Sequence, residues 1–154
     1  MNLYLVRHGE ADGGSPDNKR ALTEYGIISL KNSIKLWKMY FKKADYIITS
    51  PLARTKQTGE IIKTEFDENA VLFEDFKLAP GCATEELMEV INCCKANDII
   101  IVGHMPDLAY HVSFFVSYTG TRNTFEPGAI AAINFQNGVI KSGGTLNFLI
   151  PPIK

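Results

Sequence analysis

The sequence of 154 residues predicts an α/β fold of three layers, in which a mostly parallel central sheet is flanked by helices and completed by a C-terminal antiparallel pair of strands. Two observations predict this fold class. Up to Tyr118, short apolar runs alternate with longer segments of helical periodicity, which is typical of βαβ units. The tail instead has two apolar runs separated by glycines and an asparagine, which predicts an antiparallel pair. We expect one domain over residues 1–154, because two would be cramped in this length.

The strands are predicted from short apolar segments bounded by polar or turn residues. In chain order they are residues 2–6, 45–49, 71–76, 98–102, 129–135 and 145–150. The segment 98–102 (DIIIV) carries the strongest signal, since β-branched residues favour strands and Gly103 closes the run. The segment 71–76 (VLFEDF) is the weakest.

The helices are predicted between these strands, at residues 22–42, 51–66, 84–95 and 107–118. The apolar positions of the first helix predict that it buries Tyr25, Ile28, Trp37 and Phe41. The third helix is expected to turn three apolar residues inward, namely Leu87, Val90 and Ile91.

Composition excludes several classes of function. The formal net charge is -1, so no overall positive field attracts nucleic acid or an acidic membrane. The first residues do not have the form of a secretory signal, and no run approaches the ~20 apolar residues that span a bilayer. We therefore expect a soluble, cytoplasmic protein. A monomer is compatible with the sequence, which indicates no oligomeric state.

Cysteine and histidine usage argues against a metal site. The three cysteines (Cys82, Cys93 and Cys94) are odd in number and have no Cys-x-x-Cys spacing, which argues against a disulfide framework or a zinc knuckle. We expect Cys93 and Cys94 to be small buried or half-buried thiols. Three scattered histidines make a poor set of metal ligands, so no metal is expected.

Basic side chains follow three of the predicted strands. Arg7 and His8 come after the first strand, Arg54 after the second, and His104 after the strand at 98–102. In open α/β sheets, ligands bind beyond the carboxyl ends of the strands. Because adjacent basic groups gain nothing from each other, their placement predicts a bound anion at this edge.

The segment around Arg54 has the features of a phosphate cradle. Ser50 is a good N-cap and Pro51 suits the first helical position. Arg54 then falls in the first turn, where the helix dipole disfavours a cation, and such breaks of a local rule mark functional sites. A helix N-terminus combined with an arginine favours a phosphate ligand, and the alternative for Arg54 alone is a solvated surface arginine.

The turn around His104 is also defined by its neighbours. Gly103 lets the backbone turn, Pro106 keeps Met105 extended, and Asp107 is expected to cap the following helix. A histidine held in such a turn serves either a structural role or a ligand, and the sequence alone leaves both open.

These motifs together resemble a known family. R-H-G-E at 7–10, S-P-L-A-R-T-x-Q-T at 50–58 and G-H-x-P at 103–106 resemble the histidine phosphatase (phosphoglycerate mutase-like) superfamily. More narrowly, the chain is similar to SixA-type phosphohistidine phosphatases. The short length supports this, as do D-N-K-R-A-L-T-E-Y-G at 17–26 and F-E-P-G-A-I-A at 125–131.

The resemblance implies a role for each matching residue. His8 is expected to be the nucleophile that takes the phosphoryl group, and Arg7 and Arg54 to hold the phosphoryl oxygens. His104 is expected to complete the pocket against the same oxygens. Water then hydrolyses the phosphohistidine intermediate, and the family uses no metal and no organic cofactor. Positioned cations suit the charge of a transferring phosphoryl group, and they favour the neutral form of His8 that can attack.

The sequence departs from the larger members of the family, which carry an acidic proton donor shortly after the third strand. Pro80 and Gly81 occupy that place in FKLAPGCATEEL. Other carboxylates, each with a solvated surface role as the alternative, are Glu10, Asp12, Glu85 and Glu86. Arg20 is a candidate for contact with a partner, again with a plain surface role as the alternative.

The missing acid favours one substrate class. A P–N bond needs less acid catalysis than a P–O ester, because the leaving imidazole nitrogen is easily protonated. The short chain also leaves little for a lid over a small molecule. We therefore expect a phosphohistidine on a phosphorelay or phosphotransfer protein. The alternatives are a phosphatase of small phosphate esters and a module that binds phosphate without hydrolysing it; a metal hydrolase is weaker still.

Overall fold

A six-stranded sheet forms the centre of the protein in a computed structural model that describes residues Met1 to Lys154. The strands are β1 (Asn2–Arg7), β2 (Tyr46–Thr49), β3 (Val71–Glu74), β4 (Asp98–Gly103), β5 (Ile130–Phe135) and β6 (Gly144–Ile150). Their order in the sheet is β3-β2-β4-β1-β5-β6. The first four in this order are parallel, whereas β5 pairs antiparallel with both β1 and β6. The predicted α/β class with its C-terminal antiparallel pair is confirmed.

Four helices cover the two faces of the sheet: α1 (Glu24–Trp37), α2 (Ala53–Glu65), α3 (Thr84–Cys94) and α4 (Asp107–Val116). Short 3-10 turns occur at Asp17–Lys19 and Phe76–Leu78. No helix is both long enough and apolar enough to cross a membrane.

The strands divide their side chains between two apolar layers, because successive residues of a strand point to opposite faces. Along β1, Leu3 and Leu5 join a cluster of 18 buried residues that also takes in α3 and α4. Tyr4 and Val6 join a cluster of 15 buried residues on the other face, with α1 and α2. The central strand β4 is buried along its whole length, which explains its unbroken apolar run.

The first helix buries a different face from the predicted one. Trp37 and Phe41 are buried as expected, but Tyr25 is 48% exposed and Ile28 is 53% exposed. The helix also ends at Trp37 rather than at residue 42. Its buried face includes three small residues, namely Gly26, Ser29 and Ser33.

Small residues are buried on α1 because backbone from two other segments lies against them. A Cβ on Gly26 would lie 2.3 Å from the carbonyl oxygen of Glu10. Ser29 donates its hydroxyl to the carbonyl of Ile153 over 2.6 Å, and the Ile153 amide donates to Ser33 Oγ over 2.8 Å. Hydropathy alone does not reveal such a face, since close approach of backbone selects for small side chains.

Three local predictions are wrong. Helix α2 begins at Ala53 after Leu52, so Pro51 is not its first residue and Ser50 does not cap it with its side chain. Asp107 is the first residue of α4 rather than its cap, and its Oδ2 accepts from the amide of Gly81 over 2.8 Å. Cys93 is exposed, whereas Cys94 is half-buried as expected. The predicted inward positions of α3 are confirmed.

Candidate active site

The carboxyl ends of three neighbouring strands gather the predicted basic residues. Arg7 is the last residue of β1, His8 follows it, and His104 follows β4. Backbone hydrogen bonds hold these ends together, since the His8 amide donates to the Gly103 carbonyl over 3.2 Å. The Ser50 amide, after β2, donates to the Val102 carbonyl of β4 over 3.3 Å. Sheet order therefore brings these three loops side by side.

His8 is 9% exposed, and both of its ring nitrogens have partners. Nδ1 lies 2.7 Å from the carbonyl oxygen of Gly9, and because a carbonyl only accepts, Nδ1 carries the proton. Nε2 then holds a lone pair, which accepts the Nε–H of Arg54 over 3.3 Å. Burial first, and then the charges of Arg54 and Arg7, lower the pKa of His8 to about 4, although the bond to Gly9 opposes this. His8 is thus a neutral imidazole with an unprotonated Nε2.

Arg54 lies in the first turn of α2 and is only 6% exposed. Its Nε–H is directed to His8, as described. Its Nη1 donates to the carbonyl oxygen of Asp17 over 2.9 Å, and its Nη2 to Asp17 Oδ2 over 3.2 Å. The carboxylate of Asp17 therefore offsets the unfavourable place of a cation at a helix N-terminus.

Arg7 is half-buried beside the same histidines. Its Nη1 donates to the carbonyl oxygen of Phe125 over 2.7 Å, and its Nε is buried without a partner. Burial lowers the pKa of the guanidinium, and its charge in turn lowers the pKa of both His8 and His104. An unpartnered buried N–H next to two imidazoles leaves Arg7 able to donate to an anion.

His104 is 4% exposed and lies with its ring centroid 5.3 Å from that of His8. Its Nε2 is 2.7 Å from Ser50 Oγ, which is itself 3.0 Å from Thr55 Oγ1. Its Nδ1 is buried without a partner. Burial, followed by the neighbouring His8 and Arg54, lowers the pKa of His104 to about 3, so this ring is also neutral.

Polar side chains of α2 fix the loop that carries His8. The Gly9 amide donates to Thr58 Oγ1 over 3.1 Å, and the Thr58 hydroxyl donates to the carbonyl of Arg54 over 2.8 Å. Gln57 Oε1 accepts from the Leu22 amide over 2.8 Å. Through these contacts the T-x-Q-T segment at 55–58 holds helix α2 against the loop that follows β1.

Sequence reasoning missed Asp17 and the role of Ser50. Asp17 lies in an exposed polar stretch that predicts only a surface loop, and its contact with Arg54 spans 37 residues of chain. Ser50 carried a signal as an N-cap, but its hydroxyl is committed to His104, 54 residues away. Local propensity does not register either contact.

Three of the further candidates, Arg20, Glu10 and Glu85, lie in different places. Arg20 is joined to the cluster through Asp17, whose Oδ1 accepts from Arg20 Nη1 over 3.0 Å. Glu10 is exposed, and its Oε1 accepts from Thr23 Oγ1 over 3.0 Å at the start of α1. Glu85 is exposed in the first turn of α3. Neither glutamate has a hydrogen bond to the four basic residues.

The cluster has the chemistry of an anion-binding site beside an unprotonated imidazole nitrogen. Arg7 and Arg54 supply fixed N–H donors and positive charge, which suits a phosphoryl group. His8 supplies an unprotonated ring nitrogen within the same group of side chains. No group of three or more His, Cys, Asp or Glu residues lies close enough to hold a metal ion.

The chain is similar in sequence to curated bacterial proteins. A phosphohistidine phosphatase SixA homolog of Haemophilus influenzae is 27% identical over 150 residues, covering 86% of this chain and 87% of the relative. An uncharacterized protein of a Picosynechococcus species is 30% identical over 115 residues, covering 70% of this chain and 68% of the relative.

Solved structures share the fold. The protein histidine phosphatase SixA complexed with tungstate superposes with a TM-score of 0.85 at 21% identity, covering 98% of this chain and 97% of that one. The alpha-ribazole phosphatase of Shigella flexneri gives a TM-score of 0.73 at 16% identity, covering 97% and 96%.

The family model of the histidine phosphatase superfamily (branch 1) matches residues 3–79, which is half of the chain. The matched segment includes Arg7, His8 and Arg54, the residues that the sheet edge brings together with His104. On this match, and on the motifs and the fold that accompany it, the chain belongs to the histidine phosphatase superfamily.

Proposed function

We propose that residues 1–154 form a single histidine phosphatase domain that removes the phosphoryl group from phosphohistidine on a phosphorelay or phosphotransfer protein. His8 is the nucleophile, Arg7 and Arg54 bind the phosphoryl oxygens, and His104 completes the pocket. The reaction requires no metal and no organic cofactor.

The observation that carries this proposal is the hydrogen bonding of His8. Because Nδ1 donates to the carbonyl of Gly9, the tautomer is fixed and Nε2 keeps its lone pair. The low pKa of about 4 keeps that lone pair unprotonated at neutral pH. A nucleophile that is already neutral needs no separate base to activate it.

The reaction proceeds in two displacements. In the first, Nε2 of His8 forms a bond to phosphorus while the bond from phosphorus to the substrate imidazole breaks, and that imidazole takes a proton from water. In the second, water attacks phosphorus, the bond to Nε2 breaks, and inorganic phosphate leaves; the attacking water gives a proton to solvent, which balances the proton taken in the first step. Arginine donors bind the equatorial oxygens on which negative charge accumulates in both steps.

The substrate class is supported by the carboxylates around the site. Glu10 is engaged with Thr23, and Asp17 is engaged with Arg54 and Arg20. An ester leaving group needs a proton donor, whereas an imidazole leaving group is readily protonated by water. The similarity to the SixA homolog of Haemophilus influenzae supports the same substrate class.

Trapping of the phosphoenzyme tests the proposal. A phosphohistidine-bearing phosphotransfer protein with radiolabelled phosphate is mixed with the wild type, with His8→Ala and with His111→Asn. His111 is buried against Thr84 Oγ1 at 2.9 Å, so it serves as a matched control for loss of a buried histidine. We expect acid-labile label on the wild type and on His111→Asn, and none on His8→Ala.

The outcomes separate the alternatives. Undiminished turnover by His8→Ala would refute the nucleophile. Faster turnover of sugar or nucleotide phosphates than of the phosphoprotein would replace the substrate class but keep the mechanism. Binding of phosphate without release by the wild type would indicate a binding module, and loss of activity in a strong chelator would indicate a metal hydrolase.

A further inference from the structure

Asp17 holds the face of Arg54 that is turned away from His8. The carbonyl oxygen of Asp17 accepts from Nη1 over 2.9 Å, and its Oδ2 accepts from Nη2 over 3.2 Å. A guanidinium offers its donors along fixed edges of a planar fork. With one N–H of each η nitrogen bound to Asp17, the Nε–H and the second N–H of each η nitrogen are left for His8 and for a bound anion.

The same carboxylate also holds a second arginine. Asp17 Oδ1 accepts from Arg20 Nη1 over 3.0 Å, and Arg20 Nε donates to the carbonyl of Asp12. These hydrogen bonds, from Arg20 first and then from Arg54, hold the pKa of the Asp17 carboxyl below its ordinary value. Asp17 is therefore ionised when it bridges the buried Arg54 and the more exposed Arg20.

Asp17 accepts two of the three hydrogen bonds that the Arg54 side chain donates, and His8 accepts the third. Arg54 has several rotatable bonds, and immobilising such a side chain costs entropy at the moment a ligand binds. The two hydrogen bonds to Asp17 already order the Arg54 side chain, so binding of the phosphoryl group loses less entropy. The Nε–H can then exchange the His8 nitrogen for a phosphoryl oxygen while the η nitrogens stay bound to Asp17.

We propose that Asp17 is a positioning residue that orients the Arg54 guanidinium toward the phosphoryl group. The inference rests on the proposed function, which assigns Arg54 to the phosphoryl oxygens. The proposal adds an acidic residue to a site that binds an anion. It can therefore be tested by whether removal of Asp17 raises or lowers the affinity for phosphate.

The sign follows from two opposing effects of the Asp17 carboxylate. By charge alone, a carboxylate beside a phosphate site repels phosphate, so its removal tightens phosphate binding. By positioning, it holds Arg54 ready, so its removal weakens phosphate binding. The direction of the change in affinity therefore decides which effect dominates.

Binding of inorganic phosphate is measured by calorimetry at constant salt for the wild type, Asp17→Ala, Asp17→Asn and Asp12→Asn. Asp12→Asn removes the same charge from the same exposed loop, whereas only the backbone carbonyl of Asp12 contacts Arg20. Asp17→Ala removes the carboxylate bond to Nη2 and keeps the backbone carbonyl bond to Nη1, and we expect it to weaken phosphate binding about tenfold, the size expected for loss of a charge-assisted hydrogen bond. Asp17→Asn keeps one acceptor oxygen and should recover part of the affinity, and Asp12→Asn should change it less than about twofold.

A second readout follows Arg54 directly. The Nε–H proton of Arg54 should give a slowly exchanging signal in the NMR spectrum of the wild type, and this signal should be lost in Asp17→Ala. Because Asp17 lies on an exposed turn, Asp17→Ala and Asp17→Asn should stay folded and melt within about 4 °C of the wild type, so a loss of affinity is not a loss of fold.

Phosphate binding by Asp17→Ala that equals or exceeds that of the wild type would overturn the positioning role, even if the wild type is an active phosphatase. A wild type that binds phosphate but hydrolyses no phosphohistidine would refute the proposed function, and the affinity series would still report on Asp17. The two failures are thereby distinguishable.

Discussion

Arg54 donates its Nε–H to Nε2 of His8 over 3.3 Å, so the proposed phosphate-binding cation and the proposed nucleophile are hydrogen-bonded to each other. The lone pair that would form the bond to phosphorus is the one that accepts from Arg54. Phosphoryl transfer therefore requires the Nε–H to move from His8 to a phosphoryl oxygen. This exchange keeps the number of hydrogen bonds to Arg54 constant while it frees the nucleophile.

Replacement of Arg54 by Lys should strongly reduce activity, although the positive charge is kept. An ammonium group lacks the planar fork, so it cannot bind Asp17 with two nitrogens and donate to His8 with a third. We expect kcat/KM for the phosphoprotein to fall about a hundredfold or more, the cost typical of losing a preorganised donor. Steady-state kinetics with a thermal melt as control measures this, and a fall of less than about fivefold would contradict the role of the fork.

The titration of His8 should lie well below the usual range for histidine. Burial and the charges of Arg54 and Arg7 disfavour the imidazolium, and they lower the pKa of His8 to about 4. We expect the His8 ring signal in an NMR titration to have its midpoint near that value. The kcat/KM should correspondingly show no acid limb near about pH 6.5, where an unperturbed histidine titrates. A midpoint near 6.5 would contradict the low pKa.

Stability should decrease as the pH falls, because three buried histidines share this direction of shift. The pKa values of His8 and His111 are lowered to about 4 and that of His104 to about 3, chiefly by burial. Below about pH 6.5 the unfolded chain therefore binds more protons than the folded protein, so the free energy of unfolding falls with falling pH. From about pH 7 to pH 5 the loss should be at most about 2 kcal/mol for each histidine.

Urea denaturation at these two pH values measures the loss, and the His111→Asn variant provides the control. His111 has its Nδ1 at 2.9 Å from Thr84 Oγ1 and lies outside the proposed catalytic set. Its replacement should reduce the pH-dependent part of the loss by about a third, since one histidine of three is removed. A free energy of unfolding that is unchanged between the two pH values would show that these histidines titrate normally in the folded protein.

Replacement of Ser50 by Ala should reduce activity by more than the accompanying loss of stability explains. Its hydroxyl lies 2.7 Å from Nε2 of His104 and 3.0 Å from Thr55 Oγ1, so Ser50→Ala leaves the imidazole without its partner. We expect kcat/KM to fall about tenfold and the free energy of unfolding by about 1 kcal/mol. Ser33→Ala is the matched control, because Ser33 is a buried hydroxyl of α1 that bonds only to Ser29 and Ile153.

The control should lose similar stability and retain full kcat/KM. Equal kinetic effects of the two serine variants would show that Ser50 acts through stability alone, without a specific effect on His104.

Much of this protein follows from short signals in the sequence. The unbroken apolar run of β4 reports a central parallel strand, and Arg7, His8 and His104 are found at the edge because they directly follow strands. Side chains fixed by contacts between distant segments are harder to predict. Asp17 reaches Arg54 only after an exposed loop folds back, and hydropathy assigned the wrong face to α1 because the backbone of Glu10 selects for Gly26.

Gly26 links the fold to the site, which makes Gly26→Ala a test of both. A Cβ at this position would lie 2.3 Å from the carbonyl oxygen of Glu10 and 2.9 Å from its nitrogen. Backbone atoms cannot rotate away as a side chain can, so α1 must separate from the segment that follows His8. We expect a loss of about 2 kcal/mol in the free energy of unfolding, typical of overpacking, together with a lower kcat/KM from the displaced nucleophile. Gly13→Ala is the matched control, since a Cβ there meets nothing within 4 Å, and it should change stability by less than about 0.5 kcal/mol. Wild-type stability in Gly26→Ala would mean that α1 and the His8 loop are not in the close contact described.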